Sequence, residues 1–119
     1  MIAYLSRTGN VRAIVHSLNY PMIEISDGLL LSGPFVLCTY TDGLGDVPKK
    51  VEQFMAQNYT NCIGVIASGN RNFGQNFAKA ADVLATRYNI PIVAKLDLRG
   101  QTADFAQIQN FLIQNRTYV

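Results

Sequence analysis

The sequence predicts an α/β fold of the doubly wound kind: a five-stranded parallel sheet, strand order 2-1-3-4-5, with helices on both faces. Three observations carry that expectation. Short apolar runs alternate with segments of helical periodicity from one end of the chain to the other. The run Phe35–Tyr40 reads as a continuous strand, apolar but for Thr39, as expected when both faces of a parallel sheet are covered. The length of 119 residues suits one domain, read as spanning 1–119, with no linker or internal repeat.

Ile2 to Leu5 reads as the first strand. Val11, Ile14, Val15 and Leu18 then fall at i, i+3, i+4 and i+7, the buried stripe of a helix. Pro21 stops that helix, and Met22 to Ile25 makes a short second strand. Asp27 to Pro34 is a turn-rich connection around Leu29-Leu30-Leu31, and Phe35 to Tyr40 is the third strand. Asp46 and Pro48 mark the start of a second helix, Asp46 as its cap, with Val51, Phe54 and Met55 inside. Cys62 to Ala67 is the fourth strand. Phe77, Ala81, Leu84 and Tyr88 give a third helix its face, and Pro91 to Leu98 the fifth strand. Thr102 caps a last helix carrying Phe105, Ile108 and Leu112 inward.

Composition excludes several functions. With 49% hydrophobic and 15% charged residues, the chain buries a core and is not a disordered segment. The net charge is +2 and the Lys and Arg residues form no basic run, so no nucleic-acid partner is expected. Every apolar run falls well short of the roughly 20 residues that span a bilayer, so no membrane partner is expected either. Met1 to Leu5 passes into a polar loop without a charged leader or cleavage pattern, which reads as a cytoplasmic protein lacking a signal peptide.

Cys38 and Cys62 lie far apart, each in an apolar run, and read as small buried hydrophobes rather than metal ligands or a redox dithiol. Asn58-Tyr59-Thr60 and Asn115-Arg116-Thr117 fit the glycosylation pattern, which has no meaning in the cytoplasm. His16 falls on the outer flank of the first helix and is not read as a catalytic base. No metal site is expected.

In a doubly wound sheet the ligand lies beyond the carboxyl ends of the strands, so the loops after strands one, three and four matter most. Ser6-Arg7-Thr8-Gly9-Asn10 sets two hydroxyls, an amide and a glycine where a helix exposes unpaired N–H groups. That is a ready anion site, although the same residues alone also make an ordinary N-cap. No lysine follows the glycine and no GxGxxG is present, so neither a nucleoside-triphosphate loop nor a dinucleotide fingerprint is read. The second loop, Thr39 to Pro48, sets Gly43 and Gly45 around Leu44. Glycine there lets a peptide turn over cheaply, or serves a tight turn for shape alone. The third loop, Ala67 to Gly74, offers polar groups to the edge of a planar ligand; Phe73 covers its face or belongs to the core.

Ser-x-Thr-Gly-Asn after the first strand resembles the phosphate loop of the flavodoxin family, which binds flavin mononucleotide (FMN). By that likeness Ser6, Arg7, Thr8, Gly9, Asn10 and Val11 form the phosphate cradle, with Arg7 at a variable position facing solvent. Tyr40, Thr41, Asp42, Gly43, Leu44 and Gly45 would pack beside the isoalloxazine ring, with Gly43–Leu44 as the peptide that flips on one-electron reduction. Ser68, Gly69, Asn70, Asn72, Phe73 and Gly74 would edge the ring.

Ser-x-Thr-Gly-Asn-Val, Thr-Tyr-Thr-x-Gly-x-Gly-x-Val-Pro and Ala-Ser-Gly-Asn-x-x-Phe-Gly, then Phe77 and Ala81-Asp82, together resemble the NrdI family. The likeness runs over essentially the whole chain, through Pro91-Ile92-Val93 and Lys95 to Gly100. It implies a flavodoxin-like fold, FMN as cofactor, and no catalytic side chain beyond the flavin. It also implies a partner, the dimanganese small subunit of class Ib ribonucleotide reductase. Electrons from an unknown flavin reductant would pass to oxygen, and superoxide or a related oxidant would help generate the subunit's tyrosyl radical. Electron-carrier flavodoxins often stack tryptophan on the flavin, and this chain has none, which fits the NrdI resemblance; one departure is evident, in that Leu44 stands where some relatives carry an aromatic.

The alternative is a general flavodoxin-type one-electron carrier, which would favour an acidic docking face. A flavin-free, receiver-type regulator would want an acidic cluster at the strand ends, and none follows the first strand.

Overall fold

A computed structural model describes residues 1–115. Its strands are β1 (Ile2–Tyr4), β2 (Met22–Glu24), β3 (Phe35–Tyr40), β4 (Cys62–Gly69) and β5 (Ile92–Asp97). The helices are α1 (Asn10–Ser17), α2 (Lys49–Asn58), α3 (Lys79–Tyr88) and α4 (Thr102–Gln114), with short 3-10 turns at Tyr59–Asn61 and Arg71–Asn76. All neighbouring strands pair in parallel, in the order β2-β1-β3-β4-β5. The expected topology is the observed one. Its direction of winding reverses between β1 and β3, which opens a crevice at their carboxyl ends.

Side chains alternate across the sheet with period two, and that alternation divides the core. Phe35 and Leu37 of β3 join Val51, Phe54, Met55 and Leu84 under α2 and α3. Val36 and Cys38, from the same strand, join Val11, Ile14, Ile108 and Leu112 under α1 and α4. Both faces are therefore apolar, which is why β3 reads as an unbroken run. Phe35 meets Phe54 edge-on, with ring centroids 5.4 Å apart.

Helix ends differ from expectation. Asp46 does not cap α2: Pro48 takes that position, and the Asp46 backbone is bridged to Asp42 instead. Thr102 is the first residue of α4, not its cap. Gln101 and Asp104 cap that helix reciprocally, a box built from longer and shorter side chains than the usual Ser and Glu. Phe77 precedes α3, because Ala78 at its N-cap takes a left-handed conformation and turns the chain.

Asn58 is buried and fully used. It donates to the carbonyls of Leu29 (3.0 Å) and Phe54 (2.8 Å) and accepts from Leu31 N–H (2.8 Å), tying the long β2–β3 connection to α2. That leaves its amide inaccessible to a glycan. The second glycosylation pattern, beginning at Asn115, extends outside the described residues. No helix among the described residues is long and apolar enough to cross a membrane.

Both cysteines are buried, as their apolar surroundings predicted. Burial pushes the Cys38 thiol up to about 12 and the Cys62 thiol to about 11, from an ordinary 9.0. Neither thiol should react with Ellman's reagent at neutral pH until the chain is unfolded. A folded-state value raised above the unfolded one means that the native state holds the proton more tightly. The associated stability is complete below the unfolded value of 9.0 and is lost as pH climbs toward 12. Denaturant melts between neutral and alkaline pH should show that decline, and Cys38→Ala should flatten it.

Candidate functional site

The three loops open onto one cleft of about 250 Å³ beyond the carboxyl ends of β1, β3 and β4. Ser6, Arg7, Thr8, Asn10 and Val11 line it from the first loop; Tyr40, Thr41 and Gly43 from the second; and Ser68, Gly69, Asn70 and Phe73 from the third.

At the first loop, Gly9 enters α1 in a left-handed conformation (φ 97°). Ala13 N–H donates to the Gly9 carbonyl (3.0 Å), and Arg12 N–H to Ser6 Oγ (3.2 Å). A helix start leaves four N–H groups without intrahelical partners. Among the described residues, the amides of Asn10 and Val11 have no acceptor. They sit at the positive end of the helix dipole, in the cleft wall. Ser6 thus both accepts an N–H from the first turn of α1 and lines the cleft. Ser6→Ala should cost about 1 kcal/mol in denaturant unfolding, with α1 fraying first in hydrogen exchange.

The second loop is a bend suspended from a two-way backbone bridge. Asp42 N–H donates to Asp46 O (2.8 Å), Asp46 N–H to Asp42 O (2.7 Å) and Gly45 N–H to Asp42 O (3.1 Å). Gly43 N–H donates to its neighbour's carboxylate, Asp42 Oδ1, at 3.0 Å. Leu44 N–H is the one amide of this bend without an acceptor among the described residues, and it belongs to the Gly43–Leu44 peptide. Gly43 (φ 49°) and Gly45 (φ 117°) both need positive φ to close the bend. Leu44 is 74% exposed.

Arg7 does not simply face solvent. Its guanidinium donates to Asp42 Oδ1 at 2.6 Å and lies 4.8 Å over the Tyr40 ring. That hydrogen bond holds the Asp42 carboxyl below its ordinary range and raises Arg7 in turn.

The third loop is fixed from β5. Ser68 Oγ donates to Leu98 O (2.6 Å), Leu98 N–H donates to Gly69 O (2.8 Å), and Thr41 N–H reaches across to Ser68 O (3.1 Å). Asn70 Oδ1 accepts from Asn72 N–H (2.9 Å) and caps the 3-10 turn. Phe73 is 52% exposed, so it is not core and its ring is available to the cleft.

The remaining expected residues lie close by without lining the cleft. Gly9 shapes the helix start, Asp42 sits behind Gly43 on Arg7, Leu44 and Gly45 complete the bend, and Asn72 and Gly74 are exposed in the 3-10 turn. Two lining residues, Asn76 and Leu98, were not anticipated. Leu98 follows β5, whose Asp97 pairs with Gly69, so its place at the carboxyl end of a strand is the signal that marks it. Asn76 reaches the cleft only through the 3-10 turn and carries no sequence signal. No group of three or more His, Cys, Asp or Glu suited to a metal ion occurs among the described residues.

The architecture is that of a flavodoxin-like protein. The flavodoxin of Streptococcus pneumoniae superposes with a TM-score of 0.71 at 22% identity, covering 99% of this chain and 97% of that one. Oxidised flavodoxin 1 from Bacillus cereus does so with a TM-score of 0.69 at 17% identity, over the same shares. Sequence comparison is more specific: the family described as NrdI flavodoxin-like matches residues 2–110. Protein NrdI of Bacillus licheniformis is 42% identical over 104 residues, spanning 87% of this chain and 79% of the relative. Protein NrdI of Macrococcus caseolyticus is 35% identical over 105 residues, spanning 87% and 81%. The chain belongs to the NrdI family, and its fold and family imply a flavin cofactor.

Proposed function

We propose that the cleft holds FMN without a covalent bond and that the protein furnishes an oxidant to the dimanganese small subunit of class Ib ribonucleotide reductase. One observation carries the reading: among the described residues, the amides of Asn10 and Val11 at one loop and of Leu44 at another are without acceptors. These are the groups that a phosphate dianion and a ring nitrogen would require. A cleft of about 250 Å³ falls a little below the roughly 300–1,000 Å³ of enclosed ligand pockets, which suits a cofactor with one edge left in solvent.

When bound, the isoalloxazine supplies the one-electron chemistry, taking electrons from a cellular reductant and yielding them to oxygen. The protein's own residues bind and orient. The amides of Asn10 and Val11, with the Ser6 and Thr8 hydroxyls, hold the phosphate at the positive end of α1. Leu44 N–H is the donor that the second loop keeps in reserve, while Ser68, Gly69 and Asn70 hold the opposite edge and Phe73 covers a face. Leu44 brings no aromatic ring to shield the cleft, which favours entry of oxygen.

The family name favours the reductase partner and with it a cytoplasmic setting. A general electron carrier would favour an acidic rim; here Arg7 is paired with Asp42 and Arg71 with Asp97, and Arg99 stands beside Asn10.

Calorimetric titration with FMN tests the cofactor: heat at one equivalent is expected, and none would remove the reading. Stopped-flow mixing of the reduced protein with oxygen tests the role. Adding the manganese-loaded small subunit should divert the oxidant and produce a tyrosyl radical by EPR. Identical superoxide release with and without the subunit would leave an FMN protein but sink the activator.

A further inference from the structure

The Arg7–Asp42 contact joins two loops from opposite sides of the crevice, 35 positions apart in the chain. Tyr40 and Asp42 are two residues apart where β3 runs out, so their side chains leave on the same side and Arg7 meets both. The guanidinium lies over the Tyr40 ring at 4.8 Å and donates to Asp42 Oδ1 at 2.6 Å. That same oxygen accepts the Gly43 N–H. Both charged side chains are about half exposed, 55% and 43%, so the pair adds little to global stability.

Its consequence is local. The Asp42 backbone closes the bend against Asp46, and its side chain pins the Asp42–Gly43 peptide. The Gly43–Leu44 peptide then keeps both its N–H and its C=O without partners among the described residues. We propose that Arg7 is a positioning residue for this bend. It neutralises Asp42 beside the cleft and holds the carboxylate on Gly43 N–H, so that Gly43–Leu44 alone answers the cofactor. The proposal rests on the FMN reading above. An unpaired carboxylate there would oppose negative charge arriving on the ring, and Arg7 removes that opposition. Lysine would not replace it, because an ammonium has no planar face to lie on Tyr40 while donating sideways.

A double-mutant cycle tests this with FMN-loaded wild type, Arg7→Gln, Asp42→Asn and the double variant, reading both one-electron potentials. Arg7→Gln should disfavour the second reduction about tenfold, which is about 59 mV for one electron. In the Asp42→Asn background only the direct effect of the Arg7 charge remains, so the same substitution should shift the potential clearly less. A shift equally large without the carboxylate, or no shift at all, overturns the proposal. Amide exchange in the FMN-free protein gives a second reading that needs no flavin. Arg7→Gln should speed exchange at Gly43 and leave Ala13 and Asp46 protected; an unchanged Gly43 overturns the latch. Failure of the wild type to bind FMN would instead remove the functional reading, and the exchange arm would judge the latch by itself.

Discussion

Gly69→Ala should destabilise the protein by about 3 kcal/mol and weaken FMN binding with it. Gly69 ends β4 and begins the third loop, and a Cβ built there would lie 2.5 Å from the Ala78 amide nitrogen and 2.9 Å from its Cα. Those are backbone atoms of a fully buried residue that already holds a left-handed conformation, so nothing nearby can swing aside. Either β4 or the entry to α3 must move. Movement of β4 would disturb Leu98 N–H on Gly69 O, and with it the neighbouring bonds of Ser68 to Leu98 and Thr41. Gly33→Ala is the control, because a Cβ there meets nothing within 4 Å. Denaturant unfolding of the two variants decides the matter. Equal midpoints would mean that the close approach carries no energy.

Gly45→Ala should act on the cofactor site while leaving the sheet intact. A Cβ at Gly45 would lie 2.8 Å from Lys79 Cδ, the middle of a long side chain that can withdraw. The backbone is the larger obstacle: φ 117° is a conformation that L-residues rarely adopt, and such strain costs about 1–3 kcal/mol. The bend should relieve it by abandoning the Asp42–Asp46 bridge, at the expense of the reserved Leu44 amide. FMN affinity should fall about tenfold, which corresponds to the lower part of that strain energy. Adding Lys79→Ala separates the two causes. If removing the lysine stem restores affinity, crowding is the cause and backbone strain is not.

Much of this was legible in the chain. Phe35–Tyr40 showed its full extent because a strand covered on both faces is almost wholly apolar, and its one polar residue, Thr39, is buried and β-branched. α1 was legible because its buried stripe keeps the helical period without a break. Helix boundaries were harder, since a cap is defined by geometry as much as by residue type. Asp46 looks like a cap but is taken by Asp42, while Gln101 does not look like one and is. The start of α3 depends on a left-handed alanine, which no propensity argument selects.

At the site, glycines and hydroxyls marked the loops, so Ser6, Gly43 and Ser68 were found in the cleft wall. Leu98 and Asn76 were not, because an apolar residue after a strand and an amide in a turn are common everywhere. The grip of Arg7 on Asp42 was invisible for a related reason. A contact across 35 positions exists only once the sheet has brought two strand ends together.

The bend between Asp42 and Asp46 is anchored at both ends by mutual backbone bonds, so only three residues have any conformational search to make. Rearrangements of so short a segment belong to the nanosecond-to-microsecond range of loop motion. Reorganisation would keep pace with every electron delivered. Under the proposed function, turnover would then be set by encounters, with the donor, with oxygen or with the receiving subunit, and this bend would impose no gate of its own.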